Sequence, residues 1–181
     1  GTANVINNSP FIIGTGTQFG TEIRVGDRIT INNESRYINA ISNSTYANVN
    51  VNGYNNRLTT NQTNTGGSNY VETTINGNTN TVNHTQTGNA SQLMFSTISG
   101  NNNTVTSTQT GTAQHYLNVS LTGNGHSVIS DQSGNTSNNA SINLTNSGGA
   151  ASVDLQQTGG KSFNFIQGCA NASGCSTVIR Q

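Results

Sequence analysis

The sequence predicts an all-β chain wound as a β-solenoid of strand-arc-strand coils, about 23 residues per coil, with Gln and Asn ladders facing inward. Three observations predict it. Ile75-Asn-Gly77, Ile98-Ser-Gly100 and Leu121-Thr-Gly123 recur at a step of 23, and so do Gln86-Thr-Gly88, Gln109-Thr-Gly111 and Gln132-Ser-Gly134. Val82, Val105 and Val128 each stand four residues before the Gln, so spacing inside the unit is also held. Composition is the third: 7% charged, 30% hydrophobic, net charge +0, and rich in Asn, Thr, Ser, Gln and Gly. Disordered chains usually carry high net charge with Pro, Glu and Lys. Neutral amides and hydroxyls can instead stack into ladders when like residues lie above one another.

Residues 1–22 stand outside the repeat, with Val5-Ile6 and Phe11-Ile12-Ile13 as apolar patches around Pro10. The segment reads either as a flexible leader or as a strand that docks elsewhere, with Phe11, Ile12 and Ile13 as candidates for an intersubunit contact. Residues 23–45 read as a capping coil, since Ile23, Val25, Ile29 and Ile31 alternate with polar residues about Gly26-Asp27. Much of the chain's charge lies from Glu22 onward in this region (Glu22, Arg24, Asp27, Arg28, Glu34, Arg36), and charge on an end discourages unwanted edge pairing.

The repeats occupy residues 46–168, about five coils. Ala47, Val49 and Val51 lead to Gly53, then Asn56, Leu58 and Gln62 match Asn80, Val82 and Gln86 at a step of 24. Later coils read Met94 to Gly111 and Leu117 to Gly134. A looser one runs Ile142, Leu144, Asn146, Gly148, Ala151, Val153, Gln157 and Gly159, at a step of 25. Each coil holds two strands with period-2 alternation, joined at glycine-bearing turns: Gly53, Gly77, Gly100, Gly123 and Gly148 on one side, Gly88, Gly111, Gly134 and Gly159 on the other. Such bends need positive φ, which glycine adopts without steric cost.

Parity then decides the inside. Counting back by twos from Gln86 gives His84, Val82 and Asn80, so the amides share the inward face of the Val. Stacking makes one buried column of Gln62, Gln86, Gln109, Gln132 and Gln157, and another of Asn56, Asn80 and Asn103. Each amide then has a donor on one side and an acceptor on the other, avoiding the penalty of an unsatisfied buried polar group.

The phrase Asn80-x5-Gln86-x-Gly88, repeated at Asn103-x5-Gln109-x-Gly111 and begun at Asn56-x5-Gln62, resembles the curlin repeat of curli fibre subunits. His126 and Ala151 replace the Asn in two further units. The second half of the family pattern is absent: Met94, Leu117 and Ile142 lie in a more apolar strand without its closing Gln. The resemblance implies a secreted, functional-amyloid type of bacterial subunit that polymerises into adhesive or biofilm-matrix fibres. It also implies partners: the chain itself as a homopolymer, with secretion and nucleator proteins.

Other chemistry is thin. Six Lys and Arg against six acids give no basic stripe for nucleic acid, and no apolar run is long enough to span a membrane. The opening at Gly1, without a charged and apolar leader, reads as a signal peptide already removed. Cys169 and Cys175, in residues 169–181, suggest a disulfide that closes the carboxyl-terminal end in an oxidising location, two free thiols being the alternative. No catalytic or metal site and no cofactor is expected: His84 and His126 read as polar column members, and Asp131 and Asp154 as isolated outward acids rather than a glycosidase pair. Asn89-Ala-Ser91 and Asn118-Val-Ser120 are sequons that this composition yields by chance. The rival reading is an ice-binding or glycan-binding adhesin module. It rests on outward Thr104, Thr106, Thr108 and Thr110 beside Thr81, Thr85 and Thr87, an array broken in the next coils by Ile129, Asp131 and Asp154.

Overall fold

The computed structural model describes residues 2–5, 12–15, 28–31, 34–37, 45–146 and 148–181. From residue 45 onward the chain is a β-solenoid of six coils, each contributing one strand to each of two six-stranded parallel sheets. The first sheet stacks β5 (Thr45–Asn52), β7 (Asn69–Asn76), β9 (Leu93–Ser99), β11 (Tyr116–Thr122), β13 (Asn139–Asn146) and β15 (Ser162–Cys169). The second stacks β6 (Arg57–Asn64), β8 (Thr81–Gly88), β10 (Thr104–Gly111), β12 (Ser127–Gly134), β14 (Ala151–Thr158) and β16 (Cys175–Arg180). Parallel pairing follows from the repeat, because each strand meets its own homologue one coil later. Register is residue on residue: Val82, Val105 and Val128 align, as do Gln86, Gln109 and Gln132.

Two details of the sequence reading are corrected. Leu121 pairs with Leu144, and Thr122 with Thr145, so β13 follows β11 at a step of 23. Asn146, not Gly148, therefore continues the column of Gly123. The step of 25 appears only between β12 and β14, where Gln132 aligns with Gln157. The two extra residues belong to the arc after β13, where an insertion disturbs no strand register. The segment 169–181 is also more than an end: β16 pairs with β14 and completes the sixth coil. The Cys169–Cys175 disulfide bridges the arc between β15 and β16.

Two antiparallel pairs precede the solenoid. β1 (Thr2–Val5) pairs with β2 (Ile12–Thr15), and β3 (Arg28–Ile31) with β4 (Glu34–Tyr37). Within residues 23–45, β3 and β4 thus pair with each other rather than forming a parallel coil, and Thr45 opens β5. Of the candidate intersubunit patch, Ile12 and Ile13 belong to β2, while Phe11 lies outside the described residues. So do Ile23, Val25 and the Gly26-Asp27 turn.

Counting outward from the arc that joins the two strands of a coil places facing residues in three layers. Nearest the arc, Ile75 faces Val82, Ile98 faces Val105, Leu121 faces Val128 and Leu144 faces Val153, all buried. Farthest from it, Val71, Met94, Leu117 and Ala140 lie against Gln86, Gln109, Gln132 and Gln157. Between them, Thr73 faces His84, Ser96 faces Ser107, Val119 faces Ser130 and Ile142 faces Leu155. Burying these aliphatic side chains supplies the main driving force, at about 25 cal/mol per Å² of apolar area. The arc glycines are required twice over. Gly53, Gly77, Gly100 and Gly123 have φ of 122°, 138°, 136° and 121°. A Cβ on Gly53, Gly77 or Gly100 would also collide with the carbonyl oxygen of the glycine stacked on it.

Candidate functional site: the ladders and the terminal coil

The Gln column is continuous. Gln62 Nε2 donates to Gln86 Oε1 (2.8 Å), Gln86 to Gln109 (2.9 Å), Gln109 to Gln132 (2.9 Å) and Gln132 to Gln157 (2.9 Å). It then extends to a residue that the repeat pattern missed, since Gln157 Nε2 donates to Gln181 Oε1 at 3.1 Å. Every donor points toward the carboxyl-terminal coil. The second amide hydrogen crosses the core: Gln86, Gln109 and Gln132 donate to the carbonyls of Tyr70 (3.1 Å), Leu93 (3.0 Å) and Tyr116 (2.9 Å) on the opposite sheet. Each Gln therefore links adjacent coils and ties together the two sheets of its own coil.

The Asn column runs the other way. Asn80 Nδ2 donates to Asn56 Oδ1 (3.0 Å) and Asn103 Nδ2 to Asn80 Oδ1 (3.1 Å). The same amides donate forward to arc carbonyls of the next coil, Asn80 to Gly100 and Asn103 to Gly123. His126 continues the column as expected: its backbone N–H donates to Asn103 Oδ1, and its Nδ1 accepts from the N–H of Ala151 at 3.0 Å. With Nε2 beside the Thr122 carbonyl at 3.1 Å, this geometry selects the tautomer protonated on Nε2.

A third column was legible but unread. Asn69, Gln92, His115 and Asn138 recur at a step of 23 and are buried at the second arc. Gln92, His115 and Asn138 bond the carbonyls of Thr87, Thr110 and Ser133, five residues back in each case. His115 Nδ1 also accepts the N–H of Asn138 at 3.2 Å. Burial lowers the His115 pKa, outweighing the backbone hydrogen bonds that raise it. A constant step of buried polar residues was the available signal.

Among the described residues β15 pairs with β13 and β16 with β14, and no described strand pairs with their other edges. Phe163, Phe165 and Ile179 occupy core positions there but are only partly buried, and the two Phe rings stack at 5.8 Å. Gln181 stands beside them in the Gln column. Its backbone is tied down by bonds from its N–H to Gln156 and from Thr158 N–H to its carbonyl.

The outer faces differ. On the second sheet, hydroxyls line both strand ends, Thr81–Thr104–Ser127–Ser152 and Thr87–Thr110–Ser133–Thr158. Between these lines, Ile129, Asp131 and Asp154 interrupt the Thr array, and Asp154 pairs with Arg180 at 2.7 Å. The first sheet carries a row of rings, Tyr70, Phe95 and Tyr116, with centroids 5.5 and 5.6 Å apart, and Tyr70 donates to Glu72. Among the described residues, no three His, Cys, Asp or Glu converge. Compared with family models, with curated proteins and with solved structures, the chain matches none.

Proposed function

We propose that the chain is the structural subunit of an extracellular fibre, distantly curlin-like, that assembles head to tail by adding coils of one copy to the end of another. The observation that carries this reading is the terminal coil. Among the described residues no strand pairs with the outer edges of β15 and β16, Phe163, Phe165 and Ile179 are half-covered where inner coils bury their counterparts, and Gln181 is the last described member of the amide column. A second copy in register continues the ladder and covers the apolar layer in one step. The Cys169–Cys175 disulfide supports an oxidising, extracytoplasmic setting. No catalytic step enters this reading. Adhesion or a biofilm matrix is the role it suits.

Electron microscopy of the purified chain at moderate concentration tests it. The expected result is unbranched filaments about one solenoid wide, abolished by Ile179→Lys, which sets a charge on the end face, while circular dichroism stays that of a β protein. Persistent monomers in the unsubstituted chain would overturn it.

A glycan-binding module is the second reading, and the row of Tyr70, Phe95 and Tyr116 favours it, because sugar rings stack on aromatic faces. Retention on an insoluble polysaccharide, lost in Phe95→Ala, would select it over the fibre.

A further inference from the structure

The middle layer of the core is chemically unlike its neighbours. Thr60, His84, Ser107 and Ser130 align in consecutive strands of the second sheet. Thr73 and Ser96 align in the first sheet and face His84 and Ser107. The side-chain oxygens of Thr60, Thr73, Ser96, Ser107 and Ser130, and both ring nitrogens of His84, are buried and find no hydrogen-bond partner within the protein. His84 is 1% exposed, Ser96 2% and Ser107 1%. Elsewhere the ladder amides are bonded to one another or to backbone carbonyls, and the remaining unpartnered buried atoms, Gln92 Oε1, Gln167 Oε1 and Asp154 Oδ1, lie outside this layer. Unpartnered groups are therefore concentrated in one layer, over a run of about 14 Å at the usual strand spacing.

Space is concentrated there too. In the fifth coil the layer is filled by Ile142 against Leu155. Two coils earlier the same positions hold Ser96 and Ser107, with half as many side-chain atoms. The sheets cannot close on the difference, since Ile98–Val105 on one side and Met94–Gln109 on the other hold them apart. An imidazole and five hydroxyls thus share the layer in which Ser96 faces Ser107. Buried water typically makes about three hydrogen bonds to otherwise unsatisfied groups and takes up roughly 30 Å³ in the liquid.

We propose that this layer is an internal hydration site, in which ordered water bridges His84, Ser96 and Ser107 and is shared with Thr73 and Ser130. The bound species is water rather than a metal ion, because a single imidazole among hydroxyls lacks the ligand set that a transition metal requires. The site is independent of the assembly proposed above.

Nuclear magnetic resonance of the isotope-labelled full chain tests it, in solution if the chain is monomeric and by magic-angle spinning if it is a filament. Magnetisation transfer from water to the ring protons of His84 is expected despite their burial. Ser96→Ala, which keeps the space but removes a hydroxyl that could relay exchange, is expected to retain the transfer. Ser96→Val with Ser107→Val fills the space and is expected to abolish it. If the double variant fails to fold, the unsubstituted chain still decides. His84 ring protons dark to water would overturn the proposal, whether its nitrogens prove bonded to hydroxyls or bare. Transfer lost in Ser96→Ala would also overturn it, because the signal was then the hydroxyl's own.

Discussion

Gln109 Nε2 donates one hydrogen to Gln132 Oε1 at 2.9 Å and the other to the Leu93 carbonyl at 3.0 Å, so one amide holds two coils and two sheets. Its Oε1 accepts from Gln86 at 2.9 Å, which leaves the side chain fully used. Gln109→Leu keeps the size but strands Gln86 Nε2 and Gln132 Oε1 in the core. The expected loss is about 2–4 kcal/mol, from two buried groups left unsatisfied, read as a lower denaturant midpoint. Gln109→Glu is expected to be worse at neutral pH, where a carboxylate faces two acceptors, and to recover partly in acid.

The arc glycines differ among themselves. Gly100 has φ 136° and a Cβ there would meet the Gly123 carbonyl, whereas Gly159 has φ 78° with nothing within 4 Å. Gly159→Ala is expected to cost only the left-handed backbone term, about 1–2 kcal/mol. Gly100→Ala adds a backbone collision that only separation of the coils relieves. Its thermal midpoint is expected to fall well below that of Gly159→Ala.

His84 sets an acid limit. Burial pulls its pKa down from 6.5 to about 3, so the fold holds the neutral ring. With the folded value below the unfolded one, the unfolded chain binds more protons between those limits. Stability is complete above pH 6.5 and falls as pH drops toward 3, by roughly 5 kcal/mol in full. Water at the site moderates this loss without reversing its sign. His115 adds to it in the same direction. The dependence of stability on pH across this range is expected to flatten in His84→Val, leaving the contribution of His115 in the same direction.

Reduction of Cys169–Cys175 is expected to act locally. The bridge closes a short loop, with a sequence separation of 6, for which loop entropy gives about 2 kcal/mol. In a stack each coil contacts only its neighbours, so the loss stays near the end. Hydrogen exchange is expected to quicken in β15 and β16 while β8, β10 and β12 keep their protection. Uniform loss across all coils would instead mean a single cooperative unit.

Much of this was legible because the period is so regular. Val82, Val105 and Val128 with their Gln partners specified strand, face and column at once, since a step of 23 returns each residue to the same place in the coil. The reading failed where the step changed. At 25 residues, counting alone matched Ile142 with Leu117 and so put the extra pair before β13, and only the pairing of Leu121 with Leu144 moved it to the arc after that strand. Gln181 was missed because the final coil lacks the Gln-x-Gly phrase. The column of Asn69, Gln92, His115 and Asn138 was missed because its members share a position but not a residue type.

The sequence by itself determined the coil, its inward face and the identity of the ladders, because repetition and period-2 alternation are local properties that stacking only multiplies. The tertiary structure alone decided which way the ladders point. A Gln can donate to either neighbouring coil, and the choice depends on the carbonyl across the core that takes its second hydrogen. It likewise decided that Thr73, His84, Ser96 and Ser107 share one layer, since facing across the core depends on arc geometry and not on spacing along a strand.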